Sequence, residues 1–595
     1  MISAFDFHNR IKTEQSAIAA ELTKQYERLA LVRLAVFFGW IAGMIILFTN
    51  DWKLGLGALV VSIPLLAWGV RKHQKIKRDA AAAGIRADIA TQELAALDHD
   101  YSTFDGGAEY LQSGHPYALD LDIFGGHSLF QFLNRTVTAP GRAWLAKQLM
   151  SPGSEEERAR TQVQGKALKA MPDWCLEFRT IGNGLNDNIS YFEKLIKWLD
   201  RPPVVGNGLE RIILPLSPLF ALGGIVWIFM VDPWELGVIG FLPAIWLLRK
   251  YKDIIASEHA YTSEMGGLLK GYADLLEHIE TRPDELVDPS GQGAVAALRT
   301  LSYRISQLDV RYNPFVILLE VSGLWSLQWM RKLDQWRDEH KHELPTWLKT
   351  LAETDALISW ANLRHNQPDW SDAEFTDESV CEAKGLGHPL LPPSGRITND
   401  LTMRTDGHIH LVTGSNMAGK STWLRTVGVN LVLAQAGGPV CALHLRTRPL
   451  QVWTSMRTQD DLSESTSSFY AELKRLKAII EAVSDANQHV FFLLDEILKG
   501  TNSRDRHTGS RALIRQLIRE LGAGIIATHD LELGVLESEP GSHVENYAME
   551  VQTQGDDLVF DYKLHPGVCK SFNATALMAR MGIDIPEEEI KLTHD

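Results

Sequence analysis

Four long apolar runs interrupt an otherwise mixed chain. Leu34 to Thr49 (LAVFFGWIAGMIILFT) carries no charge, and after the turn Asn50-Asp51-Trp52-Lys53 neither does Leu54 to Val70. Ile212 to Val231 (IILPLSPLFALGGIVWIFMV) is a full twenty residues, and Asp232-Pro233-Trp234-Glu235 then turns the chain into Leu236 to Leu248. A membrane-spanning helix needs roughly 20 apolar residues, with a lower limit of about 17. The first run reaches that length if Arg33 snorkels, and the fourth if Trp234 and Arg249 sit among headgroups. Basic residues flank the pairs on their open ends: Arg28, Arg33 and RKHQKIKR (71 to 78) for the first, Arg211, Arg249, Lys250 and Lys252 for the second. Lys53 is the one basic residue in the connecting turns. By the positive-inside rule both hairpins enter from the cytoplasm and return to it. Pro64, Pro215, Pro218 and Pro243 lie within the runs, which membrane helices tolerate better than soluble ones. The pattern predicts four membrane spans; two buried hairpins in a soluble core are the alternative.

Elsewhere the periodicity is coarser. Residues 5 to 30 and 79 to 98 alternate as helices. Residues 119 to 200 read as several short helices, with a break at Thr138-Ala-Pro-Gly141, and 252 to 365 as long helices interrupted near Pro283 to Gly293. After Pro368 short β-rich runs alternate with helices, as in an α/β domain. This divides the chain into an N-terminal amphipathic helix (1–30), a first transmembrane hairpin (31–78), a helical linker (79–118), a helical domain (119–210), a second hairpin (211–250), a second helical part (251–366) and an α/β domain (367–595).

Composition narrows the setting. The length of 595 residues allows three or four domains, and 45% apolar with 22% charged residues is ordinary for a folded chain. A net charge of −15 excludes a generic nucleic-acid glue, although it leaves room for a local basic groove. Cys175, Cys381, Cys441 and Cys569 are scattered without a CxxC pair, which argues against a disulfide framework or zinc site and fits a reducing compartment. No signal peptide is visible. The expected location is the cytoplasmic (inner) membrane, multi-pass, with the α/β domain in the cytoplasm.

The chemistry gathers in the α/β part. Gly414-Ser415-Asn416-Met417-Ala418-Gly419-Lys420-Ser421 fits G-x-x-x-x-G-K-S, with His408 to Val412 as the preceding strand and Thr422 to Ala434 as the following helix. Such glycines let backbone N–H groups turn inward as an anion nest, and the helix N-terminus adds positive potential. Lys420 would reach the β- and γ-phosphates of ATP, and Ser421 would bind Mg²⁺. Further on, HVFFLLDE places Asp495 and Glu496 at the end of a strand apolar enough to be buried on both faces. Asp495 is placed to hold Mg²⁺ through water, and Glu496 to polarise the attacking water. GIIATHD carries His529 near the end of another strand, where it would sense the γ-phosphate.

TGSNMAGKST, LLDEILKGTNSRD and ATHDLEL together resemble the ATPase domain of the MutS DNA mismatch repair family. The Asn-Met inside the phosphate loop and the D-E-x-x-x-G-T after the second strand separate that family from most P-loop ATPases. DDLSESTSSFYAEL (460 to 473) resembles the MutS segment that serves as an ABC-type signature. The resemblance implies that Ser467 reaches the γ-phosphate held by a partner subunit, and therefore a homodimer. GVCKSFNATALMARMGI (567 to 583) resembles the family's C-terminal dimerisation region. LDLDIFGGHSLFQFLNRTVTAPGRAWLAKQLMSP (119 to 152) looks like the start of the MutS core, and LAETDALISWANLR (351 to 364) like the lever helix returning to the ATPase.

The departures matter as much. Residues 1 to 118 hold a hairpin where MutS carries its mismatch-reading domain. The region expected to clamp DNA, 210 to 340, holds the second hairpin and no Lys/Arg-dense helix face. The aromatic residue that stacks on adenine corresponds to Arg396, within RITNDL; an arginine plane can still stack, and Tyr562 would supply a ring from the other side. The expected fold is a P-loop ATPase domain of ABC/MutS type with a mostly parallel sheet, preceded by an all-α core and lever interrupted by two transmembrane hairpins. The expected function is a membrane-anchored MutS-like ATPase, coupled to mismatched or branched DNA. The alternative is a membrane-bound ATP-driven switch or scaffold that does not bind DNA. An ABC-like transporter is weaker, because no ionisable residue lies mid-span to mark a path.

Overall fold

Two unbroken helices carry the first pair of apolar runs. In the computed structural model, which describes residues 3–185, 187–204, 209–282, 293–310, 316–415, 418–457, 468–485, 488–554 and 557–569, α1 is Ala4–Asn50 and α2 is Trp52–Leu97. Asp51 alone separates them, and its carboxylate accepts from the Lys53 N–H to start α2. The apolar middle of this hairpin is exposed: Leu34, Phe38, Ile45, Val61 and Leu65 all face outward. At its base the helices are packed. Phe7 and Ile11 of α1 meet Ile89 and Ala90 of α2 and Leu176.

The second pair of runs folds differently from the first. Helix α3, Leu209–Met230, is long and apolar, but the next run forms a 3₁₀ stretch, Trp234–Phe241, before α4 begins at Leu242 and continues to Thr262. Among the described residues, three helices, not four, are long and apolar enough to cross a membrane. The returning chain lies close against α3: a Cβ on Gly224 would sit 2.4 Å from the Gly237 carbonyl oxygen, so the two backbones touch there. A 3₁₀ stretch rises about 2.0 Å per residue against about 1.5 Å in an α-helix, so this limb reaches further than its residue count suggests. Two further helices, Met265–Glu280 and Ala294–Asp309, lead to α5 (Val316–Gly323) and α6 (Trp325–His340), and α7 (Leu344–Asn366) leads to the α/β domain. A large apolar core joins α3, α4, α6 and α7 to the helices before them.

Thr138-Ala-Pro-Gly141, expected as a break, opens a helix instead. Thr138 caps Ala139–Met150 and Pro140 occupies its first turn, where a missing N–H costs nothing.

The α/β domain is built on six strands: β1 (Ile409–Gly414), β2 (Gln451–Ser455), β3 (Val490–Asp495), β4 (Ala523–Thr528), β5 (Val544–Gln554) and β6 (Asp557–Pro566). Their order is β6-β5-β1-β4-β3-β2. All neighbours are parallel except β5 and β6, which form an antiparallel edge. Helix α8 (Lys420–Gln435) follows β1, and α9 (Ser503–Arg519) follows β3. One face of the sheet shares its core with residues 96–150 and α7, so the helical part and the α/β part are packed as one body there. All four cysteines are buried and form no disulfide.

Candidate functional site

The carboxyl ends of β1, β3 and β4 lie side by side, and each delivers a polar group to one place. Where strand order puts β1 beside β4 beside β3, loops leaving the strand ends form a crevice. Gly414 ends β1 at φ +147, and a Cβ there would lie 2.4 Å from the Met549 carbonyl oxygen. Gly419 caps α8 at φ +97, a conformation that glycine adopts without strain. Ala418 and Ser415 belong to the same turn; Asn416 and Met417 lie outside the described residues. Thr422 sits in the first turn of α8.

Lys420 is 2% exposed. Its ammonium donates to the carbonyls of Gly414 at 2.8 Å and Ser415 at 2.9 Å, folding back over its own loop. Burial brings its pKa down to about 8. The Ser421 hydroxyl donates to Asp495 Oδ2 at 2.5 Å. These two hard oxygen donors suit a Mg²⁺ ion that keeps most of its waters.

Glu496 departs from the strand at φ +54, an uncommon conformation for a residue with a side chain. Its N–H donates to the Ala527 carbonyl at 2.9 Å, which pins the turn to β4. Both carboxylate oxygens are engaged, Oε1 2.6 Å from His529 Nε2 and Oε2 3.3 Å from Lys499 Nζ. The hydrogen bond from His529 holds the carboxyl down at about 2, with Lys499 adding to it. At 2.6 Å His529 Nε2 must carry the proton and donate to Glu496. Lys420, 3.5 Å from the same nitrogen, is then a neighbour and not a bonded partner.

Of the sequence-derived residues, Lys420, Ser421, Asp495, Glu496 and His529 thus meet. Tyr562, at φ +52, lies over the loop: a Cβ on Gly419 would come within 2.9 Å of its ring. Arg396 donates to the Pro389 and Leu391 carbonyls, and its guanidinium lies 5.6 Å from the Trp370 ring. Asn399, three residues on, joins that segment to Tyr562 by donating to its carbonyl at 3.0 Å. Ser467 lies outside the described residues.

Two residues were missed. Lys499 carried no periodic signal, because residues 496–500 form a turn rather than a helix, with Glu496 and Leu498 at positive φ. Asp120 carried none either, because its partners lie more than three hundred residues away. It is buried and accepts from Thr454 Oγ1 at 2.7 Å and from the N–H groups of Met456 and Arg457. It therefore fixes the chain just before residues 458–467. A groove of about 610 Å³ runs from Asp495, Glu496 and Lys499 past Tyr470 and Arg475 to Asp120.

Residues 410–594 match the family model of MutS domain V. The DNA mismatch repair protein MutS of Pelotomaculum thermopropionicum is 30% identical over 237 residues, covering 38% of this chain and 26% of the relative. That of Carboxydothermus hydrogenoformans is 32% identical over 237 residues, covering 38% of this chain and 28% of the relative. The Acetivibrio thermocellus protein of the same name is 29% identical over 252 residues, covering 41% of this chain and 28% of the relative. The chain spans about a quarter of the length of these curated relatives.

Proposed function

From a chain whose C-terminal domain belongs to the MutS family, we propose a membrane-anchored ATPase that binds and hydrolyses ATP as a homodimer, coupled to mismatched or branched DNA. The observation that carries this reading is the meeting of Lys420, Ser421, Asp495, Glu496 and His529 at three adjacent parallel strand ends. Residues Gly414 to Thr422 cradle the phosphates. Lys420 leaves the loop carbonyls for the β- and γ-phosphates, offering a buried ammonium to a buried anion. Ser421 and Asp495 would hold Mg²⁺, which when bound neutralises charge developing on the phosphate oxygens. Glu496 orients the attacking water and accepts a proton from it as the water oxygen bonds to the γ-phosphorus and the bond to the bridging oxygen breaks, giving inorganic phosphate and ADP. In the state described here that carboxylate is occupied by His529 and Lys499. Release of His529 toward the γ-phosphate would free Glu496 for water. Arg396 and Tyr562 would flank the base from opposite sides, and Ser467 would act on the nucleotide of the partner subunit. The two exposed apolar hairpins anchor the chain in the cytoplasmic membrane.

The test is MgATP binding to the purified full chain in lipid nanodiscs. Lys420→Ala should weaken binding by at least about tenfold, the equivalent of one strong charge-assisted contact. Equal binding by the variant would overturn the assignment of the phosphate loop.

A second reading, an ATP-driven membrane switch without DNA, is favoured by the net charge of −15. Isotherms on duplex, mismatched and branched DNA at two salt concentrations decide between them. A DNA-coupled protein binds with affinity that falls steeply as salt rises, because phosphate contacts release counterions. No binding at low salt selects the switch.

A further inference from the structure

Helix α5 is short, apolar and uncovered. Leu318 is 72% exposed and Leu319 45% exposed, while Val316 and Leu324 at its two ends are buried. Its one charge, Glu320, turns to accept from the N–H and hydroxyl of Ser326 at the start of α6. The helix packs against both limbs of the second hairpin, α3 and α4. Its level on the hairpin is fixed by α6, where Gln328 donates to the Leu214 carbonyl at 2.7 Å, near the start of the apolar run. The exposed leucines lie beside α3, where Ile212, Leu219 and Phe220 are also exposed.

The neighbouring surface has the composition of a membrane boundary. The Trp329 ring meets Tyr303 at 5.7 Å and Trp325 at 5.6 Å, both edge-on, and Lys332 Nζ lies 3.8 Å from its centroid. Arg304 donates to the Lys332 carbonyl. Aromatic rings with an apolar body and a polar edge settle at headgroup depth, and basic side chains beside them attract anionic lipid. Eight residues of helix span only about 12 Å, too little to cross a hydrocarbon core of about 30 Å.

We infer that α5 is a third membrane contact: a non-spanning helix seated in the cytoplasmic leaflet beside the second hairpin, with Leu318 and Leu319 among acyl chains and the Tyr303–Trp329–Lys332 group among headgroups. This rests on the reading of the second hairpin as membrane-embedded, and the test separates the two. Nitroxide labels go on single cysteines at Leu318→Cys or Leu319→Cys in the full chain, in nanodiscs of phosphatidylcholine with anionic phosphatidylglycerol. Phe229→Cys on the hairpin, where Phe229 is 80% exposed, and Lys477→Cys on the ATPase surface serve as references. The ratio of oxygen to water-soluble nickel-chelate accessibility should be several-fold higher at 318 than at 477, and on the same side of 477 as the value at 229. A lipid-like value at 229 with a water-like value at 318 overturns the inference alone. Water-like values at both positions overturn the membrane reading with it. Shielding of 318 from oxygen and nickel alike means that protein covers the helix, and also overturns the inference.

Discussion

Lys420 and Glu496 occupy one site with opposite histories. Glu496 gains a donor on each oxygen, so its folded pKa, about 2, lies below its unfolded value. Its contribution to stability is present above the unfolded pKa and is lost as pH falls toward 2. Lys420 is buried, and the nearby Asp495 and Glu496 only partly offset its loss of water, so its folded pKa, about 8, lies below the unfolded value of about 10.4. Below pH 8 the folded protein carries the cost of a buried ammonium; that cost is relieved as pH rises from 8 toward 10. A bound phosphate would reverse the preference and hold Lys420 charged. Binding must then take up a proton above pH 8, and MgATP affinity should fall by up to about tenfold per pH unit there. Titrations at pH of about 7, 8 and 9 check this, with Lys420→Arg expected to flatten the slope. An affinity flat across that range would contradict the pairing of Lys420 with phosphate.

The elements show where a sequence reading reaches its limit. Glu93, on the Ala-rich end of α2, looks like one more solvated charge, yet it is fully buried. Arg135 and Arg179 donate to its Oε1 at 2.7 Å each, and Asn362 and Asn366 of α7 donate to Oε2 at 3.2 and 2.9 Å. Those cations hold the carboxyl well below its usual range despite burial. His8 of α1 adds a contact to Asn366 at 3.1 Å. The base of the first hairpin is thus tied to the end of α7, just before the α/β domain begins. Glu93→Ala leaves two buried guanidinium groups without their acceptor and should cost about 3–5 kcal/mol. Denaturant unfolding of the detergent-solubilised chain measures this, and a loss below about 1 kcal/mol would contradict the latch. No local pattern announces such a residue, because all its partners are distant in sequence. The β-strands were legible for the opposite reason: strands buried on both faces read as apolar runs, and Val490 to Leu494 is one. The apolar run after Asp232 was legible as apolar but not as 3₁₀, since a continuous apolar run shows no period that separates one winding from another.

Across the whole molecule the parts form a chain of contacts from the exposed apolar hairpins to the Gly414–Ser421 loop. The polar ends of α1 and α2 make a stalk; residues 4–30 alone extend about 40 Å. The stalk is latched to α7, α7 shares a core with the sheet, and the sheet ends carry the Gly414–Ser421 loop and Glu496. Asp120 ties the helical part to the chain at Met456 and Arg457, just before the segment that contains Ser467. The central claim is that this assembly turns over ATP with Glu496 as the water-orienting base. The measurement that tests it most directly is steady-state phosphate release by the full chain in nanodiscs, compared with Glu496→Gln, with MgATP binding followed in parallel. The account predicts retained binding and a turnover lower by about 10²–10⁴-fold, the usual contribution of a positioned general base. Turnover by Glu496→Gln at the parental rate would contradict it.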